Sequence, residues 1–263
     1  MKTRAVRRSA VLATCVAGVL HAAVQAAELP VPCSPGACGT TGPQAWLGSG
    51  LAGLVQSGAQ LTVTQQTESA TLNWQSFNVS PDGRVTFVQP NAAAVALNRI
   101  FQADPSRIFG RIDANGRVFL LNRNGIVFEP GSQANVGGLL ASTLDFSPAA
   151  VELGLARAAS QRAPALQPYV GADGSPLPSG AVEIGEGSRI TTPSGGQVLI
   201  FAPEIHNRGE IRTPDGQILM AAGQRAFLVA SPDADVRGLL VEVGDGGTVT
   251  NGDPAAGVAI VGS

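Results

Sequence analysis

The chain is short of most of the groups that catalysis uses. Its 263 residues hold two histidines, three cysteines, two tryptophans and one tyrosine, and only 14% of them are charged. Lysine occurs once, at Lys2, so every later base is an arginine. Past the N-terminal segment no apolar run approaches the ~20 residues that cross a bilayer as a helix. No zinc-ligand spacing, phosphate loop or nucleophile elbow is present, and no metal or cofactor is expected. Gly48-Ser49-Gly50 and Gly185-Glu186-Gly187 have no helix after them that would make them phosphate cradles. His206, the one histidine beyond the first 26 residues, sits in a turn beside Asn207.

Acids are scattered, and many fall in turns, among them Asp82, Asp113, Asp215 and Asp253. Glycosidic chemistry needs two carboxylates facing one another across a groove. Asp233 and Asp235 are close in sequence but belong to a Pro/Ala loop tip, and Glu183 and Glu186 flank Gly185 without a neighbouring acid. A β-helical carbohydrate-active enzyme therefore stands as an alternative, and a non-enzymatic protein is the expectation.

What is present begins with an export signal. Lys2, Arg4, Arg7 and Arg8 precede an acid-free apolar stretch, Ser9–Val24, and Val24-Gln25-Ala26 supplies small residues for cleavage after Ala26. Leu12-Ala13-Thr14-Cys15 is a poor lipid-attachment box. Cleavage removes four of the seventeen bases and none of the nineteen acids. The remainder, near −6, does not suit nucleic acid. The next segment, 27–43, holds Cys33 and Cys38, which in an exported chain read as a disulfide closing a small loop. Two free thiols are the alternative.

Thirty-three glycines, 44% apolar residues and little charge favour short strands with tight turns over a helical bundle or a disordered chain. One unit recurs: a turn ending in Gly, a variable residue, then apolar-any-apolar. Copies are Asp82–Phe87, Asn115–Leu120, Gly195–Ile200, Asp215–Met220 and Ala256–Ile260. Arg189-Ile190-Thr191-Thr192-Pro193 aligns with Glu210-Ile211-Arg212-Thr213-Pro214, and Asn207-Arg208-Gly209 is echoed by Thr250-Asn251-Gly252. A period near twenty residues predicts the rungs of a parallel β-helix, in which stacked rungs make one core; a β-sandwich is the rival. Three departures from the period are expected. Ala149–Ala159 reads as a short helix with Ser147 as N-cap and Pro148 in its first turn, followed by a Pro/Gly-rich loop over 160–181. Ala226–Ala230 and Leu239–Val243 read as an inserted β-hairpin joined through Ser231–Asp235. Residues 44–66 should cap the first rung. The chain stops at Val261-Gly262-Ser263 without a polar closing element, which reads as a fragment or truncated product of a longer protein.

The segment 115–144 carries the sharpest signal. Strands alternate there with Asn/Gly turns, and Asn122-Arg123-Asn124-Gly125-Ile126 makes one tight turn. It resembles the Asn-Pro-Asn-Gly-Ile turn of the two-partner secretion domain of filamentous-haemagglutinin-type exoproteins. Asn73-Trp74-Gln75-Ser76-Phe77-Asn78-Val79 resembles the Asn-Trp-x-x-Phe-Asn-Ile segment of that family's high-molecular-weight adhesin branch. Val95–Ile100, with Asn98 and Arg99, resembles its apolar-Asn-Arg-Val strand, and Arg107–Gly110 and Ala141–Asp145 continue the match, which covers about residues 44–261. Two departures stand out. Arg123 occupies the proline position of the turn, and Gln89-Pro90-Asn91-Ala92 is not the Asn-Pro-Asn-Leu of the haemagglutinin branch.

The resemblance implies an all-β, right-handed parallel β-helix over 44–263 with an N-terminal cap, inserted hairpin and short helix. It also implies export through the periplasm of a Gram-negative bacterium and an outer-membrane two-partner-secretion transporter whose periplasmic domains read residues 122–126. The chain would not itself be transmembrane. Any host-cell or surface ligand would be bound by a distal region. Read as residues alone, Asn122, Asn124 and Gly125 are turn-formers. A free-standing surface-binding β-helix without a transporter is a further alternative.

Overall fold

The computed structural model describes residues 28–39, 42–147, 165–230, 239–252 and 260–262. All regular structure among them is β. The export signal, the expected helix at Ala149–Ala159 with Pro148, and the hairpin tip Ser231–Asp235 lie outside the described residues.

The chain winds as a parallel β-solenoid with three faces. Along the first face, Ser69–Ser76, Val95–Ile100, Arg117–Leu121, Gly138–Ser142, Gln197–Ala202 and the start of Gln217–Ala230 pair in parallel, each with the next. The second face stacks Gln60–Gln65, Arg84–Val88, Arg111–Ala114, Gln133–Asn135, Arg189–Thr191, Glu210–Thr213 and Ile260–Gly262. The third stacks Ser106–Ile108, Ile126–Phe128, Ala181–Ile184, Glu204–Asn207 and Thr248–Asn251. The twenty-one-residue repeat is the rung itself: Arg189 pairs with Glu210 and Ile190 with Ile211. The echoed asparagines also stack, with Asn207 Nδ2 donating to Asn251 Oδ1 at 2.9 Å.

Alternation of side chains explains why the rungs stay in register. On the second face Leu61, Val85, Ile112, Ala134, Ile190 and Ile211 form one inward column, each essentially inaccessible to solvent. A one-residue slip would turn that whole column outward. Burying each of its Leu, Val or Ile side chains is worth about 1.5–3 kcal/mol. The outward residues between them are polar. Asp113 there receives Arg84 Nε at 2.7 Å and Arg111 Nε at 2.8 Å.

The first face is buried on both sides. Inward it contributes Ala96, Val118, Leu139 and Val198 to the solenoid core. Outward, Leu97, Phe119, Leu140 and Leu199 form a second apolar cluster with Phe146, Leu166 and Ala226. Two insertions cover it. Asp145–Phe146 pairs with Leu166–Gln167, which bridges to Ala226. The strand Gln217–Ala230 runs out of its rung and folds against Leu239–Gly246, with Ala226 opposite Val243 and Ala230 opposite Leu239. That is the inserted hairpin, longer than expected, since its pairing continues to Gly223 opposite Gly246.

At the N-terminal end the parallel pattern gives way to antiparallel pairing. Val31–Pro32 and Leu47–Ser49 both pair with Ser69–Ser76, and Ala52–Ser57 folds against Gln60–Gln65. Trp46 meets Trp74 edge-on at 5.8 Å and closes the core at that end. Cys33 and Cys38 are joined, with Cα atoms 5.7 Å apart, and the Cys33 amide donates to the Asn73 carbonyl.

Candidate functional site

The Asn122–Ile126 turn is the corner between the first and third faces. Leu121 ends a strand that is buried on both sides, and Ile126 starts the next, itself fully buried. Between them the Gly125 amide donates to the Asn122 carbonyl at 3.1 Å, closing a four-residue turn. Asn122 is also fully buried. Its Oδ1 accepts the Asn124 amide at 2.9 Å, and its Nδ2 donates to the Asp104 carbonyl at 3.2 Å and to Ser106 Oγ at 3.0 Å. An asparagine suits this place because its side chain both closes the turn and ties it to the rung below.

Asn124 also reaches across rungs, with Nδ2 donating to the Gln102 carbonyl at 2.7 Å. Gly125 has φ +123°, and a Cβ there would stand 3.1 Å from the Ala181 carbonyl oxygen and 3.2 Å from Pro105 Cβ. The positive φ favours glycine, and a Cβ would fit only if those neighbours gave by a few tenths of an ångström. From the rung above, the Gly180 amide donates to the Arg123 carbonyl at 2.7 Å. Arg123 is half-buried, and its guanidinium donates to the Pro178 carbonyl at 3.4 Å.

Gln102 organises the corner, and sequence reasoning did not single it out. Its Oε1 accepts the Phe77 amide at 2.7 Å, while its Nε2 donates to the carbonyls of Pro105 at 2.7 Å and Asp104 at 2.9 Å. Asn78 lies one rung lower. Its Oδ1 accepts the Arg107 amide at 2.9 Å, and its Nδ2 donates to Glu28 Oε1 at 2.7 Å. Asn78, Gln102 and Asn122 each follow a first-face strand. That shared position, a polar amide just after an apolar strand, was the available signal for Gln102.

The remaining motif residues lie elsewhere. Trp74 and Phe77 fill the solenoid interior, edge to face at 5.4 Å. Trp74 Nε1 donates to Asn98 Oδ1 at 2.9 Å, and Asn98, inside the core, spends its amide on the carbonyls of Ala96 and Phe119. Asn73 packs against the cap, its Nδ2 on the Ala45 carbonyl. Arg99 turns outward to Asp145, with Nη2 at 2.8 Å from Oδ1. Burial pushes the Asp145 carboxyl above its ordinary value, offset in part by Arg99 and by the Phe146 amide. The fold thus stacks Asn78 below Asn122 and Asn124 on one corner with Gln102 between them, uses Asn73, Trp74, Phe77 and Asn98 to build the first rungs, and leaves Arg99 outside.

Among the described residues no group of three His, Cys, Asp or Glu side chains is placed to hold a metal, and no helix is long and apolar enough to cross a membrane. His206 lines a shallow depression of about 410 Å³ with Glu183, Arg208 and Thr250, its Nε2 3.8 Å from Glu204 Oε2.

Comparison with known proteins agrees with this architecture. A family model described as TPS secretion domain matches residues 41–259. Over 86 residues the chain is 42% identical to a heme/hemopexin-binding protein of Haemophilus influenzae, covering 33% of this chain and 9% of that protein. Over 88 residues it is 40% identical to the protein of the same description from strain Rd, covering 34% and 10%. The crystal structure of the HMW1 secretion domain from Haemophilus influenzae superposes with a TM-score of 0.57 at 22% identity, covering 81% of this chain and 50% of that one. At that identity the likeness is one of fold.

Proposed function

Because the chain belongs to the TPS secretion domain family, we propose that it directs export through a cognate outer-membrane transporter and seeds solenoid folding at the cell surface. Family membership supports a secretion role, a secreted or surface location and a transporter as partner. The match to the heme/hemopexin-binding proteins spans 9% and 10% of their length, so it supports a shared export domain and nothing of what those proteins bind.

The match of the family model across residues 41–259 carries this reading. The corner geometry adds a mechanism. In the folded chain Asn122, Gly125 and Ile126 are buried, and the turn's amides are bonded to the rungs on either side. A transporter that reads this turn must therefore read it before folding, as extended chain that can add a strand to a sheet edge. Once outside, the same residues close the corner of their own rung, between the rung that carries Gln102 and the one that carries Gly180. Folding then withdraws the signal and opposes return through the pore, because a stacked rung is too wide to slide back as a strand. Arg123 leaves the first central position of the turn less rigid than the family's proline would.

The test is release of the chain from cells with and without a two-partner transporter, beside an Asn124→Ala/Gly125→Ala double variant. Transporter-dependent release that the double variant loses is expected. Periplasmic retention alongside a functioning cognate transporter would overturn the reading.

A further inference from the structure

The N-terminal end of the solenoid carries an unguarded sheet edge. Ala52–Ser57 is the terminal strand of the second face; among the described residues it pairs with Gln60–Gln65 on one side and with no strand on the other. Its Leu54 and Ala52 pack inward on the core. Its outward residues do the opposite of what a protected edge does. Val55 is 67% exposed, and nothing stands within 4 Å of where a Cβ on Gly53 would lie. Leu51 beside it is 57% exposed, and Val31, on the neighbouring end strand, is 45% exposed.

Edge strands are ordinarily protected from pairing by lysine, proline, a bulge or an inward charge. Ala-Gly-Leu-Val-Gln-Ser has no proline and no charge, and its pairing with Gln60–Gln65 is unbroken in register. The surrounding sequence is as bare: from Leu29 to Thr67 there is no Asp, Glu, Lys or Arg, although nineteen acids and thirteen arginines lie elsewhere beyond residue 26.

We propose that this edge is a homodimer interface, in which Ala52–Ser57 of two copies pair antiparallel about a two-fold axis, end to end. An uncharged edge offers nothing to steer or answer a charged partner, whereas it meets a second copy of itself without the repulsion that two acidic chains would otherwise feel. Antiparallel pairing of one strand with its twin is isologous, so each copy presents the same donors and acceptors to the other. Val55 lies near the middle of the strand, where the two-fold brings it beside its own counterpart. Joining the N-terminal ends also points the two solenoids away from one another, leaving the last rung of each free. One strand pair and a few apolar side chains make an interface below the standard ~1,600 Å², so the association is weak and concentration-dependent.

Sedimentation equilibrium of the purified chain, from about 1 μM to about 500 μM, the range where such small interfaces associate, should show a monomer–dimer equilibrium. Val55→Lys should raise the dissociation constant about tenfold or more while leaving thermal unfolding unchanged. Leu51→Lys provides a second disrupting variant, and Val55→Ile should dimerise as the parent does. Val249→Lys, on an exposed side chain at the opposite end, should have no effect. Monomer throughout, association that survives both lysine variants, dissociation by Val249→Lys, or assemblies of indefinite size would each overturn the proposal.

Discussion

Asn124 donates its side-chain amide to the carbonyl of Gln102 at 2.7 Å, so the turn that resembles a secretion signal is bonded to the rung beneath it. A residue that looks in sequence like a local turn-former is therefore also a register pin between rungs.

The alanine variants at this corner should differ in size. Asn124→Ala loses one partly buried bond and should cost about 1 kcal/mol. Asn122→Ala removes the acceptor for the Asn124 amide and two donors from a fully buried site, and should cost about 2–3 kcal/mol. Urea unfolding of the purified proteins measures both. Equal costs would mean that the cross-rung bonds of Asn122 contribute little.

Arg123→Pro should stabilise the chain by about 0.4–1 kcal/mol, since proline at the first central position restricts the unfolded chain without disturbing the turn. What the substitution removes is a contact of 3.4 Å to the Pro178 carbonyl. Thermal unfolding checks the sign, and export beside the parent shows whether the transporter prefers proline.

Val198→Asp should impair both folding and release, because it places a carboxylate among the inward residues of the solenoid. Leu199→Asp, one residue along the same strand, would make a different lesion. The structure sets Leu199 in the outer cluster with Phe119, Leu140 and Phe201 instead. If outward folding drives transport, Val198→Asp should accumulate in the periplasm. Normal release of an unfolded Val198→Asp chain would remove folding from the mechanism.

Asp145 gives a pH dependence with a definite sign. Its folded pKa is raised above the ordinary carboxylate value by burial, so between those two values the folded chain binds more protons than the unfolded chain. Its contribution to stability is present at low pH and lost as pH rises through the raised pKa. The stability of Asp145→Asn relative to the parent should therefore grow over that same interval, read from unfolding curves at stepped pH. A difference that stays flat would mean Arg99 compensates fully for the burial.

Much of the fold is legible without coordinates. The alignment of Arg189–Pro193 with Glu210–Pro214 is the rung register, and the hairpin between Ala226–Ala230 and Leu239–Val243 is found residue for residue. The second apolar cluster escaped notice, although its signal was present: Val118–Leu121 and Val198–Ala202 are unbroken apolar runs, as strands buried on both faces are. Gln102 escaped because its partners, Phe77 and Asn124, lie 25 and 22 residues away.

The sequence by itself determined the repeat, the turns and the alternation, because each of these is local: glycine and asparagine set corners, and side-chain period sets which residues face inward. Only the tertiary structure decided which corners stack. Whether Asn122 is a solvated turn residue or a buried one depends on what Asp104 and Ser106 place beneath it, and that neighbour is chosen by winding the chain once around the core.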